Sequence, residues 1–211
     1  MGDLSRYQHP RFARMYERMS GQAERFGMAG HRDRLLSGLS GRVVEVGAGN
    51  GLNFPHYPAE VREVVAVEPE DVLRGLAERA APTSPVPVQV VAGHAGELPF
   101  DDATFDAAVV SLVLCSVESQ AAALAELRRV LRPGGELRFF EHVRSGRRVR
   151  ATLEHLVTPL WWRLCGGCRP NRDTTAAIRD AGFTIEANDR FVFRPAPGSP
   201  SMTHILGRAH R

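Results

Sequence analysis

Cysteine is scarce in this sequence: Cys115, Cys165 and Cys168 are the only three in 211 residues. Three is too few and too odd a number for a disulfide framework, which fits a reducing compartment. Long apolar runs are missing as well. None approaches the ~18 residues that span a bilayer, and the opening M-G-D-L-S-R-Y-Q-H-P lacks a signal-peptide core. Aromatic residues make up 7%, and none interleaves with the arginines as a nucleic-acid platform requires. The expectation is therefore a cytoplasmic protein with no transmembrane segment, no nucleic-acid partner and no peripheral membrane contact; composition is silent on oligomeric state. The net charge of +3 and pI near 9.1 come from arginine scattered along the chain, which is a solvated surface. One cluster, Arg144, Arg147, Arg148 and Arg150, reads either as a charged helix start or as a surface for an anionic substrate or lipid. With 43% hydrophobic and 24% charged residues, the chain can bury a full core, and a single domain over 1–211 is expected.

The most informative stretch is V-V-E-V-G-A-G-N-G-L-N, from Val43 to Asn53. Three β-branched residues run into Gly47, Gly49 and Gly51, the pattern of a buried strand, a sharp turn and then a helix. Glycine tolerates positive φ and has no Cβ, so the turn can hold a ligand against bare backbone. A tight strand-to-helix connection alone would also use such glycines. The spacing G-x-G-x-G departs from the dinucleotide pattern G-x-G-x-x-G, and Glu45 stands two residues before the first glycine. A carboxylate pointing into the site would repel a pyrophosphate and suit an ammonium or sulfonium group.

Residues 6–37 carry Tyr7, Phe12, Met15, Tyr16, Met19, Phe26 and Leu35 at spacings that predict one or two amphipathic helices, their apolar residues mostly core. A second buried strand over 61–69 ends in Glu68-Pro69. Glu68 lies 21 residues past Gly47, near the ~20 at which a strand-end acid meets ribose hydroxyls; capping the next helix is the competing role. A helix follows over 70–81, then a third strand over 87–95. Residues 98–117 read as an acidic turn and a strand apolar on both faces, hence inside a parallel sheet. A helix over 119–131 stops at Pro133-Gly134-Gly135, before a fifth strand over 136–143. The alternation predicts an α/β fold, a doubly wound and mostly parallel seven-stranded sheet, with its ligand beyond the carboxyl ends of the strands. Those ends carry Glu45, Gly47, Glu68, Gly93, His94, Ser111 and His142.

V-V-E-V-G-A-G-N-G, V-A-V-E-P, G-H-A-G-E-L-P-F and L-R-P-G-G-E-L, in that order, resemble the motifs of class I S-adenosylmethionine-dependent methyltransferases over at least residues 43–143. The resemblance implies a Rossmann-like methyltransferase fold with an antiparallel last strand: residues 1–40 a helical cap over the site, 41–145 the cofactor-binding core, 146–211 a helical insert and terminal strand pair. It implies S-adenosylmethionine as cofactor. Glu45, Gly47, Ala48, Gly49, Asn50, Gly51 and Asn53 would serve in the turn, Glu68 and Pro69 at the ribose, Gly93, His94 and Ala95 at the adenine, and Ser111, Leu112 and Val113 at the end of the fourth strand. Where the family often has an acid after the adenine-segment glycine, this chain has His94. Either its ring nitrogen takes the adenine amino group, or the backbone at Ala95 does.

S-L-V-L-C-S-V (111–117), F-F-E-H-V (139–143), G-G-C-R-P-N-R-D-T (166–174) and H-I-L-G (204–207) are further similar to the alkyl thiol methyltransferases and their bacterial relatives. A small, hydrophobic acceptor is implied, with a thiol favoured; carbon, oxygen or nitrogen methylation of a quinone, natural product or phospholipid head group, and a cofactor-binding domain without catalysis, stay open. His142 is the candidate to orient or deprotonate the acceptor, or else a histidine tied into the structure. Phe12, Tyr16, Trp161, Trp162 and His204 are candidates to wall the acceptor site. Trp161 and Trp162, with Leu156, Val157 and Leu160, are expected mainly in core packing. Cys165-Gly-Gly-Cys168 has no second cysteine pair beside it and does not open a helix after a strand, so neither a metal nor a redox role is expected, and Cys115 reads as core.

Overall fold

The computed structural model describes residues 3–211. Its seven strands are β1 Gly41–Val46, β2 Val61–Val67, β3 Val88–Val91, β4 Phe105–Ser111, β5 Leu131–His142, β6 Thr184–Phe193 and β7 Met202–His210. They form one sheet in the order β3-β2-β1-β4-β5-β7-β6. Pairing is parallel from β3 through β5, and β7 runs antiparallel between β5 and β6. The Rossmann-like fold with its antiparallel last strand thus stands as the motifs imply.

The helices are α1 Pro10–Ala23, α2 Ala29–Leu36, α3 Asp71–Ala80, α4 Gln120–Val130, α5 Arg148–Leu164 and α6 Thr174–Asp180. Side chains alternate across each strand, so β1 and its neighbours feed two cores. Val44, Val65, Val110, Leu137 and Phe139 pack with Leu124, Leu127 and Ile178 of α4 and α6; Val43, Val64, Val109 and Phe140 pack with Leu35, Leu36 and Ala77 of α2 and α3. Each buried Val, Leu, Ile or Phe among them contributes about 1.5–3 kcal/mol relative to exposure.

Several local expectations need correction. No α-helix follows the glycine turn; only a single 3-10 turn, Phe54–His56, forms there, because Pro55 and Pro58 withhold the amides a longer helix needs. Of the one or two helices expected over 6–37, two form, separated at Gly27, whose φ of 109° no other residue adopts readily. Met15, Met19 and Phe26 are exposed rather than core. β3 is shorter than expected, and β4 stops at Ser111 rather than running to 117, because Leu112 turns into the left-handed region with φ 61°. β5 begins earlier, at Leu131. The largest departure is α5, whose Leu156, Val157 and Leu160 are exposed instead of packed.

Candidate active site

The strand order reverses between β1 and β4, so the crevice that such sheets offer to ligands opens where Gly47 and Val113 meet. They meet closely. A Cβ on Gly47 would come within 2.5 Å of Val113 Cγ2, and Gly47 has a φ of 71°, so glycine is required there twice over. The turn is held from behind by hydrogen bonds. Gly47 and Ala48 donate their amides to the Val67 carbonyl (2.8 and 3.1 Å), and Gly51 donates to Ala48 (3.0 Å). The amide of Gly49 donates to Glu68 Oε2 at 2.8 Å. These four amides therefore bind the turn to β2 and to itself, rather than fanning out toward a ligand as the helix-start expectation had it.

Glu68, 5% exposed, also accepts from the Glu70 amide at 3.0 Å, and burial pushes its carboxyl up to about 7. Each oxygen has a lone pair left to accept from another hydroxyl. Pro69 next to it accepts from Gln8 Nε2 (2.9 Å), whose other amide atom takes the Asp71 N–H.

The expected orientation of Glu45 is corrected. Its carboxylate, 1% exposed, faces inward: Oε1 accepts from Asn53 Nδ2 (2.8 Å) and Oε2 from the Tyr57 hydroxyl (2.7 Å). Asn53 accepts in turn from buried Arg32 (2.7 Å), which also pairs with Glu24. Burial raises Glu45 to about 6 against the lowering by these donors. Glu45 and Asn53 thus brace the floor of the turn. Asn50 reaches the other way, donating to Ser20 of α1 at 3.1 Å.

At the adenine segment, Gly93 and Ala95 are buried, and His94 stacks on Tyr7 with ring centroids 5.0 Å apart. His94 Nδ1 accepts from the Gly96 amide (3.1 Å), so that nitrogen is committed to its own loop. From α1, the Tyr16 ring lies over Gly49, 3.5 Å from where a Cβ would stand, and Phe12 is 5.9 Å from Tyr16. A Cβ on Gly166 would strike the Phe12 ring. The two aromatic candidates from the N-terminal segment thus lie against the glycine turn and the C-G-G-C segment, as a cap over the rim.

Beyond Leu112 the chain is held by a residue whose role was not expected. Glu141, fully buried, accepts from the amides of Val113 and Leu114 through Oε1 (2.9 Å each) and from Cys115 through Oε2 (3.0 Å). Burial raises its carboxyl to about 7 in spite of those donors. The 166–174 segment docks on the same loop: Arg169 N–H donates to the Cys115 carbonyl (2.8 Å), and the Arg172 guanidinium donates to the carbonyls of Leu114 and Val117 (2.6 Å each).

That docking brings Cys168 to Cys115 and His142. His142 Nδ1 is 3.5 Å from Cys168 Sγ and 3.8 Å from Cys115 Sγ, and all three ligand-capable atoms lie within 4.8 Å of one another. The thiol–thiol hydrogen bond lowers Cys168 and raises Cys115, so the negative charge belongs on Cys168. Cys165 stays outside the group, and its thiol is raised by burial. The reading of Cys115 as plain core is therefore corrected. Trp161 keeps its indole N–H buried without a hydrogen-bond partner. Trp162 turns outward, 43% exposed, with Arg169 over its ring. His204, 1% exposed, lies beside His142 with ring centroids 4.4 Å apart; burial pushes it down to about 2, so it is neutral. His155 is exposed against Asn171, away from the group. Ser111 Oγ is buried without a partner at the crevice.

A family model described as a methyltransferase domain matches residues 44–139. Human thiol S-methyltransferase TMT1B is 35% identical over 182 residues, covering 82% of this chain and 73% of that protein. The chain belongs to the class I S-adenosylmethionine-dependent methyltransferases, among the relatives of the thiol S-methyltransferases. A demethylmenaquinone methyltransferase of Paenarthrobacter aurescens is 32% identical over 123 residues, 58% of this chain and 43% of that one. A solved S-adenosylmethionine-dependent methyltransferase of Thermotoga maritima superposes with a TM-score of 0.72 at 22% identity, covering 95% of this chain and 96% of that one, and so shares its fold.

The cofactor of this methyltransferase is S-adenosylmethionine, and the rim suits it chemically. A bare glycine turn, a buried carboxylate with spare acceptor capacity and an unpartnered Ser111 hydroxyl surround the switch point of the sheet. The residues that sequence reasoning missed are Glu141, Arg172, Cys115 and Cys168. Only Glu141 left a signal, an acid directly after the apolar pair Phe139-Phe140 inside a central strand.

Proposed function

We propose that this methyltransferase methylates a small thiol at sulfur. The observation that carries the reading is that the buried carboxylates of the rim are already committed: Glu141 to three amides, Glu68 to two, Glu45 to Asn53 and Tyr57. That leaves the half-buried His142 beside two thiols. An alcohol or phenol acceptor needs a strong base, whereas a thiol, with a pKa near ~8.5, needs little more than positioning. The cofactor supplies an electrophilic methyl on sulfonium, and transfer is an in-line displacement governed by how well the acceptor is held and water excluded. The similarity to the human thiol S-methyltransferase supports this acceptor.

On this reading the turn Gly47, Ala48, Gly49, Asn50 and Gly51 receives the methionine end of the cofactor, Glu68 and Pro69 the ribose, and Gly93, His94 and Ala95 the adenine. Ser111, Leu112 and Val113 line the approach to the methyl group. His142 positions the acceptor sulfur, walled by Phe12, Tyr16 and Trp161. Cytoplasmic placement remains part of the proposal; no helix among the described residues is long and apolar enough to cross a membrane.

The test is methyl transfer from labelled S-adenosylmethionine to a panel that pairs aliphatic and aromatic thiols with their hydroxyl and amine analogues. Transfer confined to the thiols is expected. Transfer to hydroxyls or amines, with thiols inert, would overturn the acceptor and leave the cofactor chemistry intact.

A further inference from the structure

Two thiols and an imidazole that converge from three separate segments need a reason to be together. Cys115 comes from the loop after β4, His142 from the end of β5, and Cys168 from the turn after α5. Each is held by its own anchors: Glu141 fixes the Cys115 amide, Arg169 N–H returns to the Cys115 carbonyl, and β7 pairs His142 with His204. Gly166 and Gly167, with φ of 57° and 81°, fold the chain back so that Cys168 and not Cys165 faces the group.

The distances are those of a metal site. Bonds of about 2.3 Å to sulfur and 2.0–2.1 Å to nitrogen place tetrahedral ligand atoms roughly 3.5–3.8 Å apart. His142 Nδ1 stands 3.5 and 3.8 Å from the two sulfurs. Two soft thiolates and one imidazole suit a tetrahedral zinc ion, and three protein ligands with one open position is the arrangement of reactive rather than structural zinc. Among the described residues no fourth cysteine, histidine or carboxylate joins the group.

We propose that Cys115, His142 and Cys168 hold a zinc ion whose fourth position takes the sulfur of the acceptor. This rests on thiol methylation as the reaction. The acceptor R–SH binds as thiolate and releases its proton to solvent. With two cysteine thiolates and a neutral histidine, the ion carries no net charge before the acceptor binds and one negative charge after. The bound thiolate donates an electron pair to the sulfonium methyl carbon; the bond from that carbon to the sulfonium sulfur breaks, its electron pair staying on sulfur. The products are R–S–CH3 and S-adenosylhomocysteine. The product thioether is neutral and a poorer zinc ligand than the thiolate, so it leaves.

The test uses the full chain with Co2+ as a spectroscopic stand-in. Expected are about one bound Co2+ per chain with tetrahedral d–d bands and thiolate charge transfer, retained in Cys165→Ala and weakened at least about tenfold in Cys115→Ala and Cys168→Ala. A small thiol should shift the bands and its methyl thioether should not. Two results would overturn the site: wild-type protein that binds neither Zn2+ nor Co2+, or a Cys115–Cys168 disulfide found by intact mass in protein purified under reducing conditions. Neither of these two results depends on activity. Metal binding without thiol methylation would sink the acceptor assignment and with it the role of the fourth position, leaving a three-ligand metal site; thiol methylation by metal-free protein would sink the zinc proposal and leave the acceptor assignment.

Discussion

Glu141 illustrates how a single side chain shapes this rim. Three consecutive amides leave the sheet where β4 ends, and one carboxylate gathers all of them. An amide in its place has one acceptor oxygen instead of two, so Glu141→Gln strands at least one buried N–H. Such a loss costs about 1–3 kcal/mol. Chemical denaturation should show that decrease, and affinity for S-adenosylhomocysteine should fall with it because Val113 closes on the glycine turn. Unchanged stability would mean that the loop keeps its shape by other contacts. Glu141 is also one residue from His142, so the alternation of the strand sends one side chain inward as a clamp and the next toward Cys115 and Cys168.

At the scale of elements, the glycine turn and α5 make opposite demands. Gly47→Ala adds a methyl 2.5 Å from Val113 and forces alanine to a φ of 71°. Overpacking alone costs about 1–3 kcal/mol, and the backbone strain adds to it. Adding Val113→Ala should recover the part due to the clash and leave the strain. Full recovery in the double variant, read from unfolding midpoints, would show that the left-handed conformation carries no cost. In α5 the reverse holds. Leu156 and Leu160 are 68% and 64% exposed, so replacing both by Gln should change unfolding stability by no more than about 0.5 kcal/mol. A loss of several times that would mean this face is packed in solution.

For the molecule as a whole, the buried carboxylates set the response to pH. Burial raises Glu45 to about 6 and Glu68 and Glu141 to about 7, all above their ordinary value of 4.5. Between those values the folded chain holds protons that the unfolded chain has released. The contribution of these groups is therefore complete below about pH 4.5 and is lost as pH rises through about 7. Glu126 acts the other way, since its hydrogen bond to Arg129 holds it low, and its contribution fades as pH falls below its ordinary range. Glu68→Gln removes one of the raised groups. Relative to wild type, the variant should gain stability from about pH 5 to about pH 8, measured by denaturant unfolding across that range. A difference that stays flat with pH would place the Glu68 carboxyl at its ordinary value.

Much of this architecture was legible in local sequence. β-branched runs, the glycines at 47, 49 and 51, and Glu68 at its spacing led to the strands, the family and the cofactor, because short-range backbone preference and a period of two decide them. The inward turn of Glu45 was not legible: its partners Asn53 and Tyr57 lie 8 and 12 residues on, and only the fold of the turn aims them at it. Nor was the Cys115–His142–Cys168 group. Its members lie 26 and 27 residues apart along the chain, on three segments that only the fold brings together. The sequence by itself determined most of the strands and helices, and with them the class of cofactor. Only the tertiary structure decided which polar groups meet at the carboxyl ends of β4 and β5, because the crossover between those strands and the docking of the 166–174 segment set those distances.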